Sequence, residues 1–122
     1  MGAGIARAIK ARYPEAYRAD CTTIQGDRGK LGTYTSAQYP DRLIFNLYTQ
    51  YKYGQDKLHL DYEALVNALH LMKDYLDEHD PNQHEIVGLP RIGCGLAGGE
   101  WKLVEELIAD VFFDRTVHVY TL

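Results

Sequence analysis

At 122 residues the chain is the size of one compact domain, long enough to bury a core without a disulfide or metal staple. Its 46% hydrophobic and 25% charged content is that of an ordinary globular protein. A net charge of −4 argues against general attraction to nucleic acid or an anionic membrane, so an anionic ligand would need local donors.

The cysteines, Cys21 and Cys94, lie far apart and outside any Cys-x-x-Cys pair. That argues against a disulfide framework or a zinc site and for a reducing compartment. No apolar run approaches a membrane span, and no signal-peptide pattern opens the chain. A cytoplasmic location and no membrane partner are the expectation.

In chain order, Met1-Gly2-Ala3-Gly4 runs straight into a helical pattern in which Ile5, Ala6, Ile9 and Tyr13 share a face. Pro14 fits the first turn of a continuing helical segment that reaches about Asp20. A glycine loop that opens a helix usually follows a strand, and none precedes this one. The chain is therefore read as starting inside a structural motif, with N-terminal strands missing. Residues 22–30 and 50–59 read as polar loops. Leu31 to Ser36 reads as a weak edge strand, and Leu43 to Tyr48 as a buried one.

Tyr62, Leu65, Val66, Leu69, Met72 and Leu76 then recur at helical spacing behind Asp61, an N-cap residue type. Pro81-Asn82 breaks the pattern before a strand over Glu85 to Pro90. Trp101, Val104, Leu107, Ile108, Val111 and Phe112 form a second helical face, and Thr116 to Tyr120 closes as a strand. Strand, helix, strand, helix, strand makes two βαβ units, which build a parallel sheet covered by helices.

Between a strand and a helix lies Pro90-Arg91-Ile92-Gly93-Cys94-Gly95-Leu96-Ala97-Gly98-Gly99-Glu100-Trp101. This is the carboxyl end of a parallel strand, where open α/β sheets bind ligands. Its glycines permit close backbone approach, and successive N–H groups beside a helix N-terminus form a concavity for an anion. A connecting turn whose glycines serve only helix–strand packing is the other reading. Gly2-Ala3-Gly4 alone is a weak signal. It lacks the dinucleotide-fold spacing and a preceding strand, and no Gly-Lys-Ser/Thr ending makes a nucleotide triphosphatase loop.

These two segments carry a family resemblance. Met1-Gly2-Ala3-Gly4-Ile5-Ala6 resembles the first ligand loop of macrodomains. Leu89 to Trp101 resembles their second, and Val119-Tyr120-Thr121-Leu122 the last strand of one branch. That branch includes the terminal ADP-ribose protein glycohydrolase, the ADP-ribose-1″-phosphate phosphatases and a chromatin-remodeller binding module. The resemblance implies one macrodomain over residues 1–122, a three-layer α/β/α sandwich with a mostly parallel mixed sheet, truncated at its N-terminus. It implies ADP-ribose as the ligand. Gly2, Ala3, Gly4 and Ile5 would face the diphosphate and distal ribose, and Arg91, Ile92, Gly93, Cys94, Gly95, Leu96, Ala97 and Gly98 would wrap the other side. Tyr120 would neighbour the adenine pocket.

The sequence also departs from the family. The glycohydrolase of this branch uses a lysine after its central strand and an aspartate in the second loop. Gln50 and Ala97 stand at those positions and can supply neither an amine nucleophile nor a proton carrier. Lys52, Asp56 and Lys57 are nearby substitutes, although charged residues on a polar loop are most often simply solvated. His59 is an acid–base candidate or a plain surface histidine, and Cys94 reads as a small packing residue. Tyr48, Tyr51 and Tyr53 offer either a stacking face or cross-strand packing.

No His-x-x-x-His pair exists, and neither a metal nor a cofactor is expected. The readings are an enzyme acting on ADP-ribose-1″-phosphate, a hydrolase of ADP-ribosyl linkages, a binding module without turnover, or an assembly protein retaining only the fold. Self-association through a truncated sheet edge is a further expectation.

Overall fold

The computed structural model describes residues 10–23, 28–53, 57–92 and 99–120. Residues 10–12 are helical. Tyr13 then leaves the helical region (φ −128°, ψ 74°), and helix α1 runs over Pro14–Cys21. The expected continuous helix is thus broken ahead of Pro14. A residue preceding proline is pushed out of the α region, whereas proline itself suits a first turn, where its missing N–H is no loss.

A single 3₁₀ turn, Arg28–Lys30, leads into strand β1, Tyr34–Tyr39, which pairs antiparallel with β2, Arg42–Leu47. Gly32, between them, has φ 80°, and a β-carbon there would lie 3.1 Å from Asn67 Cβ. Both the left-handed backbone and the close approach of the following helix call for glycine.

The expected polar loop over 50–59 is instead a hairpin. Strands β3, Gln50–Tyr53, and β4, Lys57–Leu60, pair antiparallel with Gln50 opposite Leu60. Two short runs containing Tyr51, Tyr53, Leu58 and Leu60 are strand-compatible, and three residues separate them, a common hairpin length.

Helix α2, Tyr62–His79, begins as the sequence indicates, with the Asp61 carboxylate accepting the Ala64 N–H at 3.0 Å. Strand β5, Val87–Pro90, helix α3, Trp101–Val111, and strand β6, Val117–Tyr120, form one βαβ unit. β5 and β6 pair in parallel, Val87 opposite Val117 and Pro90 opposite Tyr120. Among the described residues the ladders are therefore two antiparallel and one parallel. The helical pattern between β2 and β5 does not bring those two strands into direct pairing.

The core gathers Leu65, Leu69, Met72 and Leu76 of α2, Val104, Ile108 and Val111 of α3, Phe112, and Val87 and Leu89 of β5. Leu65, Leu69, Val104 and Phe112 are its largest fully buried side chains.

The β1–β2 hairpin is covered on both faces. Asn46 donates to the Ala16 carbonyl of α1 at 2.8 Å, whereas its neighbour Phe45 meets Tyr75 of α2 edge-on at 5.7 Å. Adjacent strand residues point to opposite faces, so α1 and α2 lie on opposite sides of the hairpin, a local α/β/α layering. A part-buried network extends the α1 contact. Tyr48 donates to Asp20 at 2.6 Å and lies 2.9 Å from the Thr35 hydroxyl, which in turn accepts from Asn46 at 3.0 Å. Burial, followed by the Asp20 carboxylate, raises the Tyr48 hydroxyl above its usual pKa.

A charged clamp closes the far end of α2. The Arg115 side chain is fully buried, its guanidinium 2.7 Å from Asp80 and 3.0 Å from Asp77. Lys73 adds contacts to Asp77 at 2.9 Å and Asp114 at 3.1 Å. Asp80 also accepts the backbone N–H groups of His84 and Glu85, which fixes the turn into β5.

Candidate functional site

The candidate site lies where β5 and β6 end together. Pro90 is opposite Tyr120 in the parallel ladder, so Arg91 and Ile92 follow at the carboxyl edge where Tyr120 also ends its strand. Ile92 turns at once, its N–H donating to the Pro90 carbonyl at 2.9 Å in a three-residue turn at the exit of β5.

At the other end of the loop, Glu100 caps α3 with an extended backbone and no side-chain hydrogen bond. Its own N–H donates to the Tyr62 hydroxyl at 3.0 Å, which ties the return of the loop to the first turn of α2. The first turn of α3 holds no acidic side chain. The N–H groups that open a helix lack intrahelical partners and carry partial positive charge, so this helix end is a donor surface.

The Arg91 guanidinium lies over the Trp101 ring, 5.0 Å from its centroid, so the two residues flanking the loop are in contact. Arg91 is exposed and Ile92 half-buried. Tyr120 is also exposed, and its ring leans across β5 at Gly88, where an added β-carbon would sit 3.1 Å from Tyr120 Cε2. A side chain at 88 would therefore crowd the Tyr120 ring.

Of the residues singled out from sequence, Arg91, Ile92 and Tyr120 are among the described residues, Arg91 and Ile92 directly following Pro90, which is opposite Tyr120. Gly2, Ala3, Gly4 and Ile5, and likewise Gly93, Cys94, Gly95, Leu96, Ala97 and Gly98, lie outside the described residues, as does Asp56. Gln50 is exposed at the start of β3. Lys52 and Lys57 belong to the β3–β4 hairpin, and His59, opposite Tyr51, is half-buried in β4. Tyr48 belongs to the α1 network, where Lys30 also sits 4.5 Å over its ring, and is committed to packing.

Sequence reasoning placed Tyr62 and Trp101 on helical core faces and missed their contacts with the loop ends. Their position at the first residue of each helix was the available signal. Among the described residues no group of three His, Cys, Asp or Glu side chains is arranged to hold a metal, and no helix is long and apolar enough to cross a membrane.

A parallel strand–helix–strand unit with helices packed beside it makes this a domain of α/β class. Residues 1–108 match the Macro domain family model, and the chain belongs to that family. It is 29% identical over 124 residues to the ADP-ribose glycohydrolase OARD1 of Homo sapiens, and equally to that of Bos taurus. Each alignment covers 100% of this chain and 74% of the relative.

Among solved structures, a protein of unknown function from Bacteroides thetaiotaomicron superposes with a TM-score of 0.75 at 27% identity, over 98% of this chain and 78% of that one. The macrodomain of Thermus aquaticus DarG superposes with a TM-score of 0.70 at 23% identity, over 98% and 80%. The fold is the macrodomain fold, as the glycine loops imply.

Proposed function

We propose that this chain binds ADP-ribose or a close derivative at the carboxyl edge of β5 and β6, and that it processes that ligand as a hydrolase of ADP-ribose-1″-phosphate or of ADP-ribosyl linkages. The observation that carries the reading is the exit of β5. Arg91 and Ile92 leave the sheet beside Tyr120, and the chain returns into an α3 N-terminus free of carboxylates in its first turn. Donors of this kind suit a diphosphate, and they supply locally the positive potential that a net charge of −4 withholds. Family membership and the ADP-ribose glycohydrolase relatives support the same ligand class. Gly2, Ala3, Gly4 and Ile5 are assigned to one side of the diphosphate, and Gly93, Cys94, Gly95, Leu96, Ala97 and Gly98 to the other.

Turnover, on this reading, does not pass through a lysine adduct. Gln50 has no nucleophilic amine and Ala97 no carboxyl group, so bond cleavage falls to a water molecule held beside the distal ribose. Those same two residues favour a second reading, a binding module without turnover. Calorimetric titration with ADP-ribose, AMP and ATP tests the binding. The account expects saturable, micromolar-range binding of ADP-ribose and weaker binding of the other two, and equal or absent binding of all three overturns it. Incubation with ADP-ribose-1″-phosphate, followed by mass spectrometry, separates hydrolysis from simple retention. An ADP-ribosyl adduct on Lys52 or Lys57 would overturn the lysine-free route.

A further inference from the structure

Helix α3 starts without local support. In a capping box the N-cap side chain accepts an N–H of the first turn, and a Glu or Gln at the third helical position reaches back to the N-cap N–H. Here the N-cap is Glu100, whose side chain makes no capping bond. The third helical position is Leu103, an exposed side chain with no acceptor. Both halves of the local cap are missing at the helix end to which the diphosphate is assigned.

The acceptor comes instead from another helix. The Glu100 N–H donates to the Tyr62 hydroxyl at 3.0 Å. Tyr62 is the first residue of α2, and that end of α2 is pinned on both sides of its backbone. The Asp61 N–H donates to the Thr49 carbonyl at 2.8 Å, and the Asp61 carbonyl accepts the Leu65 N–H at 2.9 Å. The Asp61 carboxylate takes the Ala64 N–H at 3.0 Å. The Tyr62 ring packs against the core, and Leu65 beside it is fully buried. A side chain supported in this way can hold a neighbouring group in a fixed place. The Arg91–Trp101 contact joins the two ends of the loop to each other, whereas the Tyr62 bond joins the loop's return to α2.

We propose that Tyr62 is a positioning residue for the ligand loop between β5 and α3. Its hydroxyl takes the role of the absent capping-box side chain, and so sets where the first N–H groups of α3 stand relative to the diphosphate. The proposal rests on the ADP-ribose reading.

Tyr62→Phe keeps the ring and removes the acceptor. Leu103→Gln supplies an acceptor from the position a capping box uses. The test is calorimetric titration with ADP-ribose of the unaltered chain, both single variants and the double variant, with Tm measured for each. Tyr62→Phe is expected to weaken binding about fivefold, the scale of one neutral hydrogen bond, with Tm lowered by less than about 4 °C. Adding Leu103→Gln to Tyr62→Phe is expected to bring affinity back to within about twofold of the unaltered chain. The same change with Tyr62 present is expected to gain less, because the Glu100 N–H already has its acceptor. Without ligand, the Glu100 amide is expected to exchange several-fold faster in Tyr62→Phe and to slow again in the double variant. An unfolded Tyr62→Phe chain, unchanged affinity in it, no recovery in the double variant, or equal gains from Leu103→Gln in both backgrounds would each overturn this proposal alone. No binding of ADP-ribose by the unaltered chain would overturn the ligand reading and this proposal with it.

Discussion

The two edges of β5 have opposite fates. Toward β6 its backbone is paired from Val87 to Pro90, and its buried side chains Val87 and Leu89 join a core shared with α2 and α3. Toward β2 the same four residues line an open cleft. Among the described residues, one strand is therefore paired on one side and unpaired on the other. Stability is therefore expected to be greater on the β6 side than on the β2 side.

Truncations on the two sides sharpen this contrast. Leu69→Ala removes a fully buried side chain from the core, and a loss of about 3 kcal/mol is expected in urea unfolding. Leu43→Ala removes a half-buried side chain from the cleft wall, and less than about 1 kcal/mol is expected, because water already reaches that space. Equal losses at the two positions would mean that the cleft is closed in solution.

The clamp at the end of α2 should show a smaller effect than Leu69. Arg115→Ala leaves Asp77 and Asp80 without their buried cation, and a fall in Tm of about 10 °C is expected. The acid side of the stability profile gives the matching test. The Lys73 ammonium foremost, with Arg115, holds Asp77 below the usual carboxylate range; the Glu85 N–H foremost, with Arg115, does so for Asp80. A carboxylate lowered in the folded state contributes stability that is complete above its unfolded value of about 3.9 and lost as pH falls through the folded value. Melting temperature is therefore expected to drop below about pH 4, and less steeply in Arg115→Ala. A clamp variant with an unchanged acid profile would contradict this origin.

Much of the fold was legible because periodicity and end chemistry agreed. The α2 pattern from Tyr62 to Leu76 sits behind a working Asp61 cap, and Trp101 to Val111 is helical as its apolar spacing requires. Three things were not legible. The break at Tyr13 depends on what Pro14 does to the residue before it, which apolar spacing over Ile9 and Tyr13 conceals. The β3–β4 hairpin was hidden by polar residues at Gln50, Lys52 and Lys57, whose composition resembles a loop. The lack of pairing between β2 and β5 could not be read from a strand–helix–strand pattern, because that pattern does not say which strands are neighbours. Of the candidate site, only the placement of Pro90 opposite Tyr120 at the end of the parallel pair bears on Arg91, Ile92 and Tyr120, and it follows from the strand–helix–strand pattern. The contacts of Tyr62 with Glu100 and of Arg91 with Trp101 link residues that sequence order separates, and only the folded chain reveals them.

The central claim is that the loop between β5 and α3 holds the diphosphate of ADP-ribose. Calorimetric titration of Gly98→Glu beside the unaltered chain tests it most directly, because a carboxylate at 98 would both block backbone approach and repel the phosphates. The account predicts at least about a hundredfold loss of ADP-ribose affinity, near 3 kcal/mol, with Tm held within about 2 °C. Unchanged affinity in the folded variant would contradict it and leave the segment a connector between strand and helix.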